Sequence, residues 1–381
     1  MITYGDKMKK KICAFFMTVA LLIQTATLFC HADGISISAE SAILMDFHSG
    51  TSLYEHNADK RMGMASTTKL MTALTVVSLT DTDKTVTVPK EAVGIEGSSL
   101  YLFEGEKMTV EQLLYGLLLS SANDAAVALA IFCSGSVEAF AREMNALGTG
   151  LGLCDSNFVN PHGLYHEEHY TTARDLGIIA RQVLLHPLLR EICATYKMPL
   201  PMDGNEGGRL AVNHNKLLRT YEGAIGMKTG FTKKTGRCLV SAAERDGLTL
   251  ICVTLNAPDD WRDHTSLLDF GYGNYERRVV ADAGGFEYEF PITGADRESV
   301  TLYNESPITL TLPKGEARVE YVVESTCRFL YAPVSRGQLC AKVTVSWNGQ
   351  TSSSAMRVKH SVSKLENKTG LFYRLKNIFK D

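Results

Sequence analysis

The chain has 381 residues, 45% hydrophobic and 21% charged, which is too long for a peptide and too apolar for a disordered segment. Lys and Arg number 39 against 42 Asp and Glu, a net charge of −3, so the cationic footprint of a nucleic-acid binder is missing. With 31 Gly, 10 Pro and no fixed-period self-similarity, collagen-like, low-complexity and solenoid architectures drop out, and the length suits two domains.

In chain order, Lys7, Lys9, Lys10 and Lys11 form a basic stub ahead of an apolar run over residues 12–29, the charge-then-apolar order of a secretory signal. Cys30-His31-Ala32 places small residues at the −3 and −1 positions and predicts cleavage after Ala32; an uncleaved anchor is the alternative. Phe29 is too bulky for a lipoprotein site at Cys30. Of the nine cysteines, Cys13 and Cys30 leave with the signal. The remainder show no CxxC and no regular spacing, so neither a zinc knuckle nor a disulfide framework is indicated. Most read as small core residues, while Cys327 and Cys340 flank a turn and could bridge.

Residues 42–46 and 51–54 alternate around His48-Ser49-Gly50 and predict a hairpin. Leu70, Ala73, Leu74 and Val77 recur at helical spacing after Ser66, and Thr109 with Gln112 makes a capping box ahead of Leu113, Leu114, Leu117 and Leu118. Residues 124–148 and 171–195 each read as helix. After Gly223 the period changes to strands, with 237–243 and 248–255 joined across Asp246-Gly247. Beyond Tyr275 short alternating runs at 308–312, 318–323 and 341–347, separated by turns at Pro313-Lys314-Gly315 and Asn348-Gly349, predict a small all-β domain. Past Ser361 a polar, basic tail carries one apolar stripe, Leu371, Phe372, Leu375, Ile378 and Phe379. It suits an interfacial helix in peripheral contact with a membrane, or a helix docked on its own domain.

Three motifs carry chemistry. Ser66-Thr67-Thr68-Lys69 opens an apolar helix, where i, i+3 spacing sets a hydroxyl and an amine one turn apart. A lysine whose pKa is lowered by burial and neighbouring cations can activate such a serine without a histidine. The unpaired N–H of Ser66 at a helix start could hold an oxyanion. Ser121-Ala122-Asn123 falls at a predicted helix break that could present short polar side chains to a cleft; the alternative is plain N-capping by Ser121 or Asn123. Lys228-Thr229-Gly230 follows an extended Ile225-Gly226-Met227, where a lysine and a hydroxyl on an edge strand could bind a carboxylate and glycine lets substrate lie against the backbone. Each motif has decoys: Ser361-Val362-Ser363-Lys364, Ser346-Trp347-Asn348, Lys234-Thr235-Gly236 and Lys368-Thr369-Gly370. Order and spacing, about 55 and then about 107 residues, select the first set. His162, His166, His169, Glu167 and Glu168 suggest a metal cluster, but Tyr170 stands where HExxH needs its second histidine, so a solvated loop is expected. Asn213-His214-Asn215-Lys216 reads as a turn.

The ordered trio resembles the signature of penicillin-binding proteins and class A β-lactamases. The stretches around Ser41 to Asp46, Met64 to Ala73, Asn160 to Leu164, His169 to Leu176 and Gly226 to Thr232 resemble the D-alanyl-D-alanine carboxypeptidases, the low-molecular-mass penicillin-binding proteins. The centre of Ser121-Ala122-Asn123 lacks the aspartate usual in class A β-lactamases, and no Glu-x-x-Leu-Asn is present. The resemblance implies an α/β (α+β), β-lactamase/transpeptidase-like catalytic domain with an antiparallel sheet flanked by helices, plus a small C-terminal all-β domain. It divides the chain into a signal at 1–32, catalytic domain at 33–275, β-sandwich at 276–361 and tail at 362–381.

It further implies that Ser66 attacks the peptide bond between two D-alanines with Lys69 as base, that Ser121 relays the proton to the leaving amine, and that Asn123 holds the substrate backbone. Lys228 and Thr229 take the terminal carboxylate beside Gly230, and the N–H groups of Ser66 and Phe231 form the oxyanion hole. Some relatives carry histidine at the Phe231 position. Arg262 could add to carboxylate binding. No cofactor or metal is implied. Expected partners are peptidoglycan stem peptides and, as covalent inhibitors, β-lactams, met on the outer face of the cytoplasmic membrane or in the wall. A transpeptidase or β-lactamase on the same site, and more distantly a non-catalytic wall-binding protein, are the alternatives.

Overall fold

The computed structural model describes residues 35–202 and 205–365, with no side-chain detail at 205–207. The predicted signal and the amphipathic tail beyond Leu365 lie outside the described residues. The chain opens with a hairpin, β1 (Ser41–Asp46) and β2 (Ser52–His56). Its turn is closed by Asp46, whose Oδ2 accepts the Ser49 N–H and hydroxyl, and by Gly50 in the left-handed region. A 3-10 turn, Ala65–Thr68, leads into α1 (Lys69–Leu79). A ribbon of β3 (Thr85–Thr87) and β4 (Lys107–Thr109) precedes α2 (Val110–Leu119), where the Thr109/Gln112 capping box forms as its spacing predicts.

The two long predicted helices are each broken in two. Residues 124–148 become α3 (Asn123–Ser134) and α4 (Val137–Gly150), because Gly135 takes φ 78 and Ser136 caps a new start. Residues 171–195 become α5 (Ala173–Leu185) and α6 (Pro187–Ala194), since Pro187 cannot donate to a continuing helix but suits a first position. The hairpin β5 (Lys197–Met202) and β6 (Asn205–Val212), which sequence periodicity did not reveal, and the short α7 (Leu217–Thr220) lead to β7 (Ala224–Thr232), β8 (Gly236–Arg245) and β9 (Leu248–Leu255). Asp246 and Gly247 both adopt positive φ at the β8–β9 turn. α8 (Asp260–Asn274) follows.

These strands form an antiparallel sheet of order β2-β1-β9-β8-β7, which leaves β7 on an edge. Strand alternation assigns its two faces. Ile43 and Met45 point toward α5, where Gly177 packs on Met45; Leu44 and Leu250 point toward α8, where Gly271 leaves no room for a side chain. Burying Leu44 and Leu250, both fully inaccessible, contributes about 2 kcal/mol apiece. The larger core is built from the α5 side of the sheet and from α1 to α6.

The rest is all β, as its alternating texture predicts. β10 (Tyr275–Ala281) runs out of α8; β11 (Glu287–Thr293), β12 (Ser299–Asn304), β13 (Ile308–Pro313), β14 (Glu320–Glu324), β15 (Leu330–Tyr331), β16 (Leu339–Trp347) and β17 (Gln350–Val358) follow. A six-stranded sheet, β14-β16-β17-β12-β11-β15, packs against the β10-β13 ribbon around a second core that includes Leu302, Leu310, Val343, Met356 and Val358. Cys327 and Cys340 do not bridge: both thiols are free, Cys327 exposed beside Ser325 and Cys340 directed at the Gln338 carbonyl.

His264 of α8 is wholly buried between the hydroxyls of Ser241 and Thr254, and burial pushes its pKa down to about 3. Burial likewise lowers His169 to about 3. An unfolded chain takes up these protons near pH 6.5, whereas the folded chain resists until about 3, so stability falls as the pH drops below about 6.5. Denaturant titrations between pH 7 and 5 should show a loss of up to about 1.4 kcal/mol per pH unit for each such imidazole, reduced in His264→Asn. An equal slope in the variant would show that His264 is not buried neutral.

Candidate active site

α1 is buried on nearly every side: its apolar residues pack all round, and the hydroxyls of Thr72 and Thr75 among them donate to main-chain carbonyls. Lys69, its first residue, is therefore sealed in as well, at 0% exposure. Its Nζ lies 3.0 Å from Ser66 Oγ, 2.6 Å from Asn123 Oδ1 and 2.6 Å from the His162 carbonyl oxygen. Burial first, then the like charge of Lys228, drive its pKa well below the usual lysine range, against a smaller opposing pull from Asp124.

Ser121 and Asn123 sit at the break between α2 and α3. Neither caps a helix: the N-cap of α3 is Ala122, with no side-chain bond. Ser121 takes φ 61 and lines the cleft. Asn123 is buried with both ends of its carboxamide engaged, the oxygen by Lys69 and the nitrogen by the Glu96 carbonyl. Its oxygen thus orients the lysine, while its nitrogen and main chain pin the loop over residues 96–98, whose Ser98 carbonyl accepts the Asn123 N–H at 2.7 Å. Asp124, which the sequence reading passed over, fixes the continuation of that loop by accepting from the N–H groups of Leu100 and Leu102 and from the Ser99 hydroxyl.

On the opposite wall, β7 sets Lys228 and Gly230 opposite Val240 and Cys238, on the face that meets the helices. Lys228 is 1% exposed, its Nζ donates to the Thr229 carbonyl at 2.9 Å, and burial pushes its pKa down to about 7. A Cβ at Gly230 would lie 3.0 Å from the Ser66 nitrogen, so a bare backbone is needed where the strand passes the serine. Lys234 falls in the turn beyond the strand, and Ser346 and Ser361 lie in the C-terminal β region.

Between the walls lies a cleft of about 460 Å³ lined by Ser66, Ser121, Thr229, Gly230 and Phe231 together with His214, Lys216, Arg237 and Asp260. Phe231 is 64% exposed at its rim. Arg262 is exposed on α8 and is not among the lining residues; the arginine in the cleft is Arg237, held 3.0 Å from Asp260. The 213–216 segment is irregular chain that turns at Lys216 into α7: Asn213 and Asn215 brace it by donating to the carbonyls of Cys193 and Gly226. It also delivers His214 and Lys216 to the cleft. With Lys228, Lys216 and Arg237 against Asp260, the field favours an anionic group.

The segment after Phe158 corrects the expectation of a wholly solvated loop. Tyr165 to Glu168 form an exposed loop, but His169 is 4% exposed, its Nδ1 accepting the Val159 N–H and its Nε2 meeting Thr68 Oγ1 at 2.8 Å. The loop is thereby clamped along α1: Pro161 accepts from Thr72 at 2.6 Å, and His162 from Lys69. These main-chain acceptors carry no side-chain signal, though the Asn-Pro-His-Gly sequence marks the turn that presents them. Gly163 has φ 88, and a Cβ there would fall 1.9 Å from the Ala65 carbonyl oxygen. Gly163→Ala should therefore destabilise by about 2 kcal/mol or more, whereas Gly273→Ala, which meets nothing within 4 Å, should not. Equal thermal melts of the two variants would refute the clamp.

The profile of the D-alanyl-D-alanine carboxypeptidase (peptidase S11) family matches residues 27–259. The Bacillus subtilis D-alanyl-D-alanine carboxypeptidase DacF is 30% identical over 372 residues, spanning 94% of this chain and 95% of that one. Escherichia coli DacA, bearing the same description, is 31% identical over 83% of this chain and 81% of its own. Penicillin binding protein 5 from Haemophilus influenzae superposes with a TM-score of 0.69 at 30% identity, covering 87% of this chain and 99% of that structure. The buried lysine and its serine partner thus sit on a fold and a sequence shared along almost the whole chain, which belongs to the serine peptidase family of D-alanyl-D-alanine carboxypeptidases.

Proposed function

We propose that this enzyme hydrolyses the terminal D-alanine from the pentapeptide stems of peptidoglycan through an acyl-enzyme on Ser66. The observation that carries the reading is the surroundings of the Lys69 amine. A neutral amine has two N–H bonds and one lone pair. The Asn123 and His162 oxygens can only accept, so they use both hydrogens and leave the lone pair to the third neighbour, the Ser66 hydroxyl. Burial beside Lys228 favours that neutral form.

Lys69 then takes the serine proton as Ser66 Oγ attacks the carbonyl carbon of the penultimate D-alanine, with the N–H groups of Ser66 and Phe231 receiving the oxyanion. The proton passes through Ser121 to the departing amine, the C–N bond breaks, and D-alanine leaves. Water attacks the ester and restores Ser66. Lys228, charged, and Thr229 take the substrate carboxylate, within the cationic cleft completed by Arg237 and Lys216. Asn123 acts here as a positioning residue for Lys69. β-Lactams would acylate the same oxygen. We assign this chemistry to residues 33–275, and to 276–361 a supporting β-sandwich. The order of residues 1–32 supports export, and the apolar stripe between Leu371 and Phe379 supports peripheral membrane contact at the outer face.

Incubation with pentapeptide should release free D-alanine rather than a cross-linked dimer, and fluorescent penicillin should label the wild type and not Ser66→Ala, whose turnover should fall roughly a thousandfold or more. Cross-linked product alone would reassign the chain to transpeptidation; no label on the wild type would remove the acyl-enzyme. Because Lys228 is charged below about pH 7 and neutral above it, KM for a carboxylate-terminated peptide should rise as the pH is raised past 7. Lys228→Met should have a high KM that no longer changes with pH in this range, and a KM equally pH-dependent in that variant would exclude Lys228 as the carboxylate anchor.

A further inference from the structure

A second cavity, of about 220 Å³, lies where the β1–β2 turn meets the C-terminal β strands, away from the Ser66 cleft. Its buried lining includes Asp46, Thr311 and Gln350, each exposed by 1% or less. Asp46 Oδ1, Thr311 Oγ1 and both amide atoms of Gln350 have no hydrogen-bond partner. Buried polar atoms in folded proteins are almost always satisfied, so four unpartnered ones around one void point to an occupant. The Asp46 carboxylate is held in place, since its Oδ2 is fixed by Ser49 at 2.8 and 2.6 Å. Arg277 of β10 stands in register with Thr311 of β13 and lines the same cavity, where it interacts with Asp46 at long range without forming an ion pair. Partial burial lowers the pKa of Arg277 against the opposing pull of Asp46, and that of His48 is lowered by partial burial and then by Arg277. The cavity reaches the surface past His48 and Thr351, both exposed.

The lining holds one anion and one cation apart, with a hydroxyl and a carboxamide alongside. A simple anion would be opposed by Asp46 and a simple cation by Arg277. A molecule carrying both charges on neighbouring atoms satisfies each: its ammonium donates to Asp46 Oδ1, its carboxylate accepts from Arg277 and Thr311, and Gln350 supplies one donor and one acceptor. We propose that this interdomain cavity binds a small α-amino acid as its zwitterion. D-Alanine, the product of the reaction proposed above, belongs to this class and is the first probe; that choice rests on the proposed function, while the cavity's chemistry does not.

The test is calorimetric and thermal-shift titration of the full chain with D-alanine, L-alanine and glycine, and with methylamine and acetate as half-ligands. Saturable binding of at least one amino acid, with neither half-ligand reproducing it, is expected. Arg277→Met should weaken that binding roughly tenfold or more. Gln350→Met should weaken it as well, and serves alone if Arg277→Met fails to fold. Lys228→Met, in the catalytic cleft, should leave it unchanged. Absence of saturable binding, equal binding of a half-ligand, or loss in Lys228→Met with retention in the cavity variants would each overturn the proposal and leave the void to water. Penicillin labelling of Ser66 and D-alanine release are read at the other site, so failure here is distinguishable from failure of the proposed activity.

Discussion

Nearly everything around the cleft serves one constraint: a lysine amine must be kept out of water within hydrogen-bond reach of a serine hydroxyl. Removing a charge from water is costly enough that a buried lysine sheds its proton unless strongly paired. At Lys69 the neighbours are a neutral amide oxygen, a main-chain carbonyl and the serine, with another lysine as the other wall. Asp124 is the one opposing charge felt there, and its oxygens are already committed to the 99–102 loop. The amine is therefore dehydrated with no carboxylate paired to it, which favours its unprotonated form.

Holding that arrangement requires backbone that an unconstrained chain would avoid. Among the described residues eight non-glycines have positive φ, and four are Asn or Asp, which tolerate it. Of the other four, Ala65, Ser121 and Met227 adjoin Ser66, the α2–α3 break and Lys228, one at each motif. Such conformations cost of order 1 kcal/mol or more each and persist only where the surroundings over-determine them. The surroundings are the buried α1, α2 and α3, the 160–163 segment clamped by Thr72 and His169, and the β7 edge packed on the serine turn through Gly230. The strain and the cores that hold it are thus parts of one structure: loosening the clamp should relax the serine turn before it unfolds the protein.

The chemistry of the site was legible wherever it is local. Ser66 and Lys69 share a helix face because of their spacing, Lys228 sits on a strand because of the residues around it, and Thr109 caps because Gln112 is three residues on. The helix breaks at Gly135 and Pro187 were legible in principle too, but apolar periodicity ran through them and masked two ordinary stop signals. The His162 and Pro161 carbonyls were not legible, since every residue has a carbonyl and only the path of the chain decides where one points. Nor was the burial of His169, which depends on packing against Phe158 and Thr68, nor the choice of Arg237 over Arg262, which depends on how α8 lies against β8.

By itself, then, the sequence determined the candidate groups, the elements that carry them and the order that set the three motifs apart from their other matches, because hydroxyl-amine spacing on a turn and alternation along a strand act over a few residues. Only the tertiary structure decided which acceptors surround the lysine, that Asn123 serves the lysine and a loop, and that four polar atoms from β1, β13 and β17 face one void between the two cores. Those outcomes depend on desolvation and on contacts between residues far apart in the chain, and neither is a property of any local stretch.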